Sequence, residues 1–135
     1  MITEDYVSFE IAKLLKDKGF DEFTFSDYNE NGIAQFNEVE TRVAKGYQRP
    51  TLQMAMKWLR EMHHIFITIE IKGDPRKEDF IYYKWSVAKY CSIKIDRIDN
   101  NLTCPEDYWI APDEEEETYE RTCEAALKYC LENLI

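Results

Sequence analysis

The hydrophobic and polar positions of this chain change period several times, and each change marks an element. In TEDYVSFEIAKLLKDKG the apolar residues Val7, Ile11, Leu14 and Leu15 recur at helical spacing. Thr3 is the expected N-cap, with Glu4 and Asp5 in the first turn and Gly19 as the left-handed stop. Phe20 follows directly, where a Schellman ending folds it back onto Leu15. After Pro50, Thr51 is placed to cap a second helix whose face reads Leu52, Ala55, Met56, Leu59 and Met62, ending near His63 and His64.

The period then switches from 3.6 to 2. In IFITIEIKG, Ile65, Ile67, Ile69 and Ile71 point one way and Phe66, Thr68 and Glu70 the other. After a turn at Gly73, Asp74 and Pro75, FIYYKWSV alternates again, with Ile81, Tyr83, Trp85 and Val87 on the apolar side. YCSIKIDRI is a candidate further strand. Residues 99–113, rich in Asn, Pro and Asp, read as a loop pinned to the surface by Tyr108, Trp109 and Ile110. Tyr119, Cys123, Ala126, Cys130 and Leu134 define a last helix from Thr118 to Leu134, with both cysteines facing the core. The acidic run Asp113 to Glu117 falls at or before its N-terminus, where carboxylates suit the dipole.

This order predicts a single α+β domain over residues 1–135. The expected architecture is an antiparallel sheet of about 4–5 strands covered by three helices, in the order α-ββ-α-ββ(β)-α. With 44% hydrophobic and 14% aromatic residues among 135, one packed core is within reach. No secretory leader and no run of about 18 apolar residues is visible, so neither membrane insertion nor export is expected and the location is read as cytoplasmic. The four cysteines, Cys91, Cys104, Cys123 and Cys130, are then expected as reduced thiols, and none has the C-x2-C spacing of a zinc knuckle.

Charge narrows the partners. The formal net charge of −10 argues against nucleic acid, whose affinity comes largely from Lys and Arg displacing counterions. It leaves open a basic partner surface.

Residues 27–38, DYNENGIAQFNE, match the calcium-loop pattern D-x-[DN]-x-[DN]-G-x5-E letter for letter. In that reading Asp27, Asn29, Asn31, the Ile33 carbonyl, Gln35 and Glu38 surround the ion, with Gly32 at the sharp turn. The flanks fit poorly. An EF-hand needs a helix running into Asp27, yet Gly19 ends the preceding helix and Phe23, Thr24 and Phe25 have strand character. A hairpin explains the same letters, since FTFSDY and IAQF alternate on either side of NENG. The hairpin is the expectation, and the calcium site is the alternative.

Other chemistry is sparse. Adjacent His63 and His64 diverge by roughly 100° on a helix and do not converge on one metal. Cys91 beside His64 lacks an orienting third group, and four scattered glycines build no phosphate loop. No catalytic residue and no cofactor is assigned. The aromatic pair Tyr108 and Trp109, beside Glu114, Glu115 and Glu116, is the candidate protein-binding surface, although Trp109 as a simple loop anchor explains that residue equally well. The sequence names neither the partner nor the oligomeric state.

The blocks MITEDYVSFEIAKLLKDKGFDE, PTLQMAMKWLREMHHIFITIEI and TYERTCEAALKYCLENLI together resemble a group of short uncharacterised proteins encoded by gut Bacteroides and by their phages and mobile elements. Arg121 stands where that group has a second Glu, so the capping box is incomplete here. The resemblance carries no activity and no functional residue. It implies an intracellular, phage- or mobile-element-related accessory protein.

Overall fold

The computed structural model describes residues 4–74, 76–77, 81–90 and 108–135, Tyr108 by its backbone alone. The fold is α+β. Helix α1 (Phe9–Asp17) precedes strands β1 (Thr24–Tyr28), β2 (Ala34–Thr41) and β3 (Tyr47–Gln48). Helix α2 (Leu52–His63) precedes β4 (Ile65–Lys72), β5 (Tyr82–Lys89) and β6 (Tyr108–Ile110), and α3 (Tyr119–Asn133) closes the chain. Among the described residues the strands form two three-stranded sheets, ordered β2-β1-β3 and β4-β5-β6, rather than the one sheet expected. All pairings are antiparallel.

Helix α1 starts later than the acidic signals at Glu4 and Asp5 suggest. Its cap is Ser8, whose hydroxyl accepts from the Ile11 N–H at 3.3 Å. The preceding segment has other partners. Val7 N–H donates to the Pro50 carbonyl at 3.0 Å and Leu52 N–H to the Asp5 carbonyl at 2.9 Å, so residues 5–7 lie extended along the entry to α2. The C-terminus is as read: Phe20 N–H reaches the Leu15 carbonyl at 2.9 Å, Gly19 N–H reaches Lys16 at 3.2 Å, and Gly19 has φ +95°. Phe20 is thereby folded into the core against Trp58, edge to face at 5.4 Å.

Thr51 caps α2, accepting from Met54 N–H at 3.1 Å, and His64 ends the helix in the left-handed conformation at φ 56°. That turn directs the chain straight into β4, which leaves Met62 outside the core at 61% exposure. Strands β4 and β5 pair residue for residue from Ile65↔Lys89 to Lys72↔Tyr82. Their inward row is deepest at Ile65, Trp85 and Val87. It thins through Ile67 and Ile69 and ends with Ile71 exposed, so the distal end of the hairpin projects beyond the helices.

Helix α3 packs on this sheet and on α1. Thr118 caps it by accepting from Arg121 N–H at 3.2 Å. Cys123, Ala126, Leu127, Cys130 and Leu131 are fully buried, while Tyr119 and Leu134 sit at the margins. Burial pushes the Cys123 thiol up to about 11 and the Cys130 thiol up to about 12, and both cysteines are structural.

Apart from Tyr90, the candidate strand over 90–98 and most of the loop expected over 99–113 lie outside the described residues. Within that loop, Tyr108–Ile110 form β6, paired with β5 through Val87↔Ile110, Ala88↔Trp109 and Lys89↔Tyr108.

Candidate functional site

Residues 27–38 are a hairpin. Tyr28 pairs with Ala34, Asp27 with Gln35 and Ser26 with Phe36. The turn is held by Asn29: its N–H donates to the Ile33 carbonyl at 2.9 Å, and its Oδ1 accepts from Asn31 and Ile33 N–H at 2.8 and 3.0 Å. Gly32 takes φ +82°, the conformation such a turn needs. Asp27 is only 2% exposed, and its two carboxylate oxygens accept from the Gln35 and Asn37 amides at 2.6 and 2.8 Å. Glu38 is exposed on β2. The calcium-type letters thus serve a strand pair, with the Asp27 carboxylate and the Ile33 carbonyl already engaged.

Around β1 a polar interior replaces the apolar one. Gln48 donates to the Thr24 hydroxyl and to the Thr41 carbonyl, both at 2.8 Å. Arg49 donates to the Ser26 hydroxyl at 3.0 Å, and its guanidinium lies over Tyr6, Tyr28 and Phe36 at 4.6, 5.2 and 5.2 Å from the ring centres. On the outward face, Phe23 and Phe25 are each 49% exposed.

The second sheet presents a different surface. Strand alternation turns Phe66, Ala88 and Trp109 away from the helices, and the register sets them side by side across β4, β5 and β6. Trp109 is 68% exposed and Phe66 41%. Tyr90, 53% exposed, packs edge to face on Phe66 at 5.5 Å. An aromatic row therefore crosses the open face of the sheet. Trp109 does not anchor a loop; it stands on a strand, facing out.

Beyond this row the same face carries charges that neutralise one another. Glu70 pairs with Lys72 at 2.8 Å and Lys84 with Asp113 at 2.6 Å. The hydrogen bond from Lys72 lowers the Glu70 pKa, that from Lys84 lowers the Asp113 pKa, and in return Asp113 raises that of Lys84.

Of the acidic residues read from sequence, Glu114 and Glu115 are exposed and make no ion pair with described residues. Glu116 is half-buried and held by its main chain, which exchanges hydrogen bonds with Tyr83 at 2.9 and 3.0 Å. The sequence reading missed Phe66 and Tyr90. The available signal was a phenylalanine at an outward position of an otherwise polar strand face, between His64 and Thr68.

The histidines do not converge on a site. His63 packs against Trp58 at 4.7 Å, and its pKa is lowered by burial and then by Lys89 and His64. Among the described residues no three His, Cys, Asp or Glu side chains are grouped to hold a metal ion, and no helix is long and apolar enough to cross a membrane. No family model, no curated protein and no solved structure matches this chain.

Proposed function

We propose that this is a non-enzymatic accessory protein that binds another protein through the open face of β4-β5-β6, in keeping with the phage- or mobile-element role that the resemblance implies. The observation that carries the reading is the register of Phe66, Ala88 and Trp109, which lines up exposed aromatic surface on a rigid sheet. Tryptophan is the residue most enriched at interface hot spots, and contiguous exposed apolar surface on a small domain marks interaction sites. The charges beside it are paired, so covering them strands no lone ion. Glu115, near enough to Lys84 to raise its pKa, favours a basic, partly apolar partner, whereas Glu114 lines a cleft beside Ala125 and Lys128 of α3.

With a partner isolated from the natural host, Trp109→Ala is expected to weaken the complex at least tenfold with the melting temperature unchanged. Glu114→Lys with Glu115→Lys is expected to slow association, most visibly at low salt. An unchanged complex in both variants removes the proposal, as does tight, salt-sensitive binding to random-sequence nucleic acid.

The hairpin flanks and the engaged Asp27 carboxylate support the folding reading of residues 27–38 over the calcium reading. Millimolar calcium is therefore expected to leave the melting temperature unchanged. A real site adds about 2.7 kcal/mol at a hundredfold excess over its dissociation constant, and a rise lost in Glu38→Gln would reinstate the calcium site.

A further inference from the structure

The outer edge of β5 is paired at two places and open between them. Val87 faces Ile110, and Tyr83 exchanges both main-chain hydrogen bonds with Glu116. Between these anchors β5 supplies residues 84–86 and the facing chain supplies residues 111–115, two more, so the facing chain bows into an arch closed at both ends.

In an antiparallel strand, alternate residues aim both main-chain groups at the same edge. Trp85, two positions from Tyr83 and two from Val87, therefore points its N–H and C=O into the arch. Pro112, in the lining of the same cleft, has no N–H to give. Among the described residues nothing hydrogen-bonds to the Trp85 main chain on this side. Trp85 is 3% exposed as a whole residue, its side chain facing the helices, and it lines an open cleft on the other side.

A cleft of about 270 Å³ opens here, with Trp85, Trp109 and Pro112 in its lining. Its charged lining residues are the two ion pairs Glu70–Lys72 and Lys84–Asp113, which cancel. A charged ligand would have to break one of those pairs. A neutral group with one acceptor and one donor matches both the open main chain and the neutral lining.

We infer that the arch over Trp85 is an amide-recognition notch that takes a single main-chain peptide group of the protein partner, presented from the open face of the sheet. The partner's C=O accepts from Trp85 N–H and its N–H donates to the Trp85 carbonyl, as a facing strand residue would. Trp109, at the mouth, supports the neighbouring side chain. This inference rests on the docking reading above and adds the chemistry that is recognised.

The test is an amide-resolved NMR titration of the intact chain with acetyl-trialanine N-methylamide. The expected result is a saturable shift of the Trp85 main-chain N–H together with the Trp109 indole N–H. Acetate and guanidinium are expected to leave Trp85 unmoved. A chain lacking Pro112 and Asp113 brings Glu114 opposite Trp85; it is expected to lose the Trp85 response and to melt higher, because the arch closes into regular pairing.

A response at Trp109 with Trp85 unmoved overturns the notch and leaves the docking face standing. A response at Trp85 alone supports the notch and counts against the docking face. No response at either, an equal response to acetate or guanidinium, or slow hydrogen exchange at Trp85 N–H in the free protein overturns the notch.

Discussion

The two sheets of this molecule are built on opposite economies. In β4-β5-β6 the residues facing the helices are apolar, with Ile65, Trp85 and Val87 buried against α2 and α3. In β2-β1-β3 the central strand buries Thr24, Ser26 and Asp27, while Phe23, Phe25, Phe36 and Val39 stand in solvent. The β2-β1-β3 sheet is held by side-chain hydrogen bonds and by a guanidinium over three rings, whose Nε is buried without a partner among the described residues, and the β4-β5-β6 sheet by excluded water. Burial of polar groups is tolerable only when each has a partner, and Asp27, Gln48 and Ser26 all do. Local cohesion therefore does not follow apolar content: the sheet rich in exposed phenylalanine depends on its amides.

The largest test falls on the apolar side. Leu127→Ala removes a fully buried side chain of α3, the helix that packs on this sheet, and is expected to cost about 3 kcal/mol in urea unfolding. A loss below about 1 kcal/mol would mean that the second sheet does not rely on this layer.

The next test inverts the usual ranking. Asp27→Ala, which strips both amides of their acceptor, is expected to cost about 2 kcal/mol, whereas Phe25→Ala, half in solvent, is expected to cost less than about 1 kcal/mol. Should the phenylalanine prove the more expensive loss, the distinction between the sheets collapses.

Arg49→Lys retains the charge but removes the planar group that lies over three rings, and is expected to cost about 1 kcal/mol. A neutral result would reduce the cage to passive packing.

The smallest effect is confined to alkaline solution. The Cys123 and Cys130 thiols rise from an ordinary 9.0 to about 11 and about 12, so the fold favours their protonated forms. Their contribution is fully present below pH 9.0 and is lost as pH climbs through about 11 and about 12. The melting temperature should be flat with respect to these groups near neutrality and fall only on the alkaline side. In a Cys91→Ser, Cys104→Ser chain, native-state thiol labelling should be slow until denaturant is added. Rapid labelling would contradict the docking of α3.

The same contrast explains what could be read from sequence. Elements whose signals are local were legible: the Thr51 cap, the Gly19–Phe20 ending, the period-2 strand from Ile65 and the buried face of α3. The start of α1 was not, because Glu4 and Asp5 look like a first turn while the backbone there bonds to residues 50–52. Nor was the division into two sheets, since Ser26 and Asp27 give no sign in isolation that Gln35, Asn37 and Arg49 will satisfy them. Trp109 was singled out but placed in a loop; its row with Phe66 depends on a pairing between distant strands, which no local pattern encodes.

The distribution of tryptophan gives the molecule an optical division of labour. Trp58 and Trp85 are 7% and 3% exposed and Trp109 is 68%. Acrylamide should therefore extinguish one red-shifted component of the intrinsic fluorescence while two blue-shifted emitters persist. In Trp109→Phe that quenchable component disappears and the folding signal remains. The native chain thus reports solvent access to its open face and integrity of its core in one emission spectrum, with no added label.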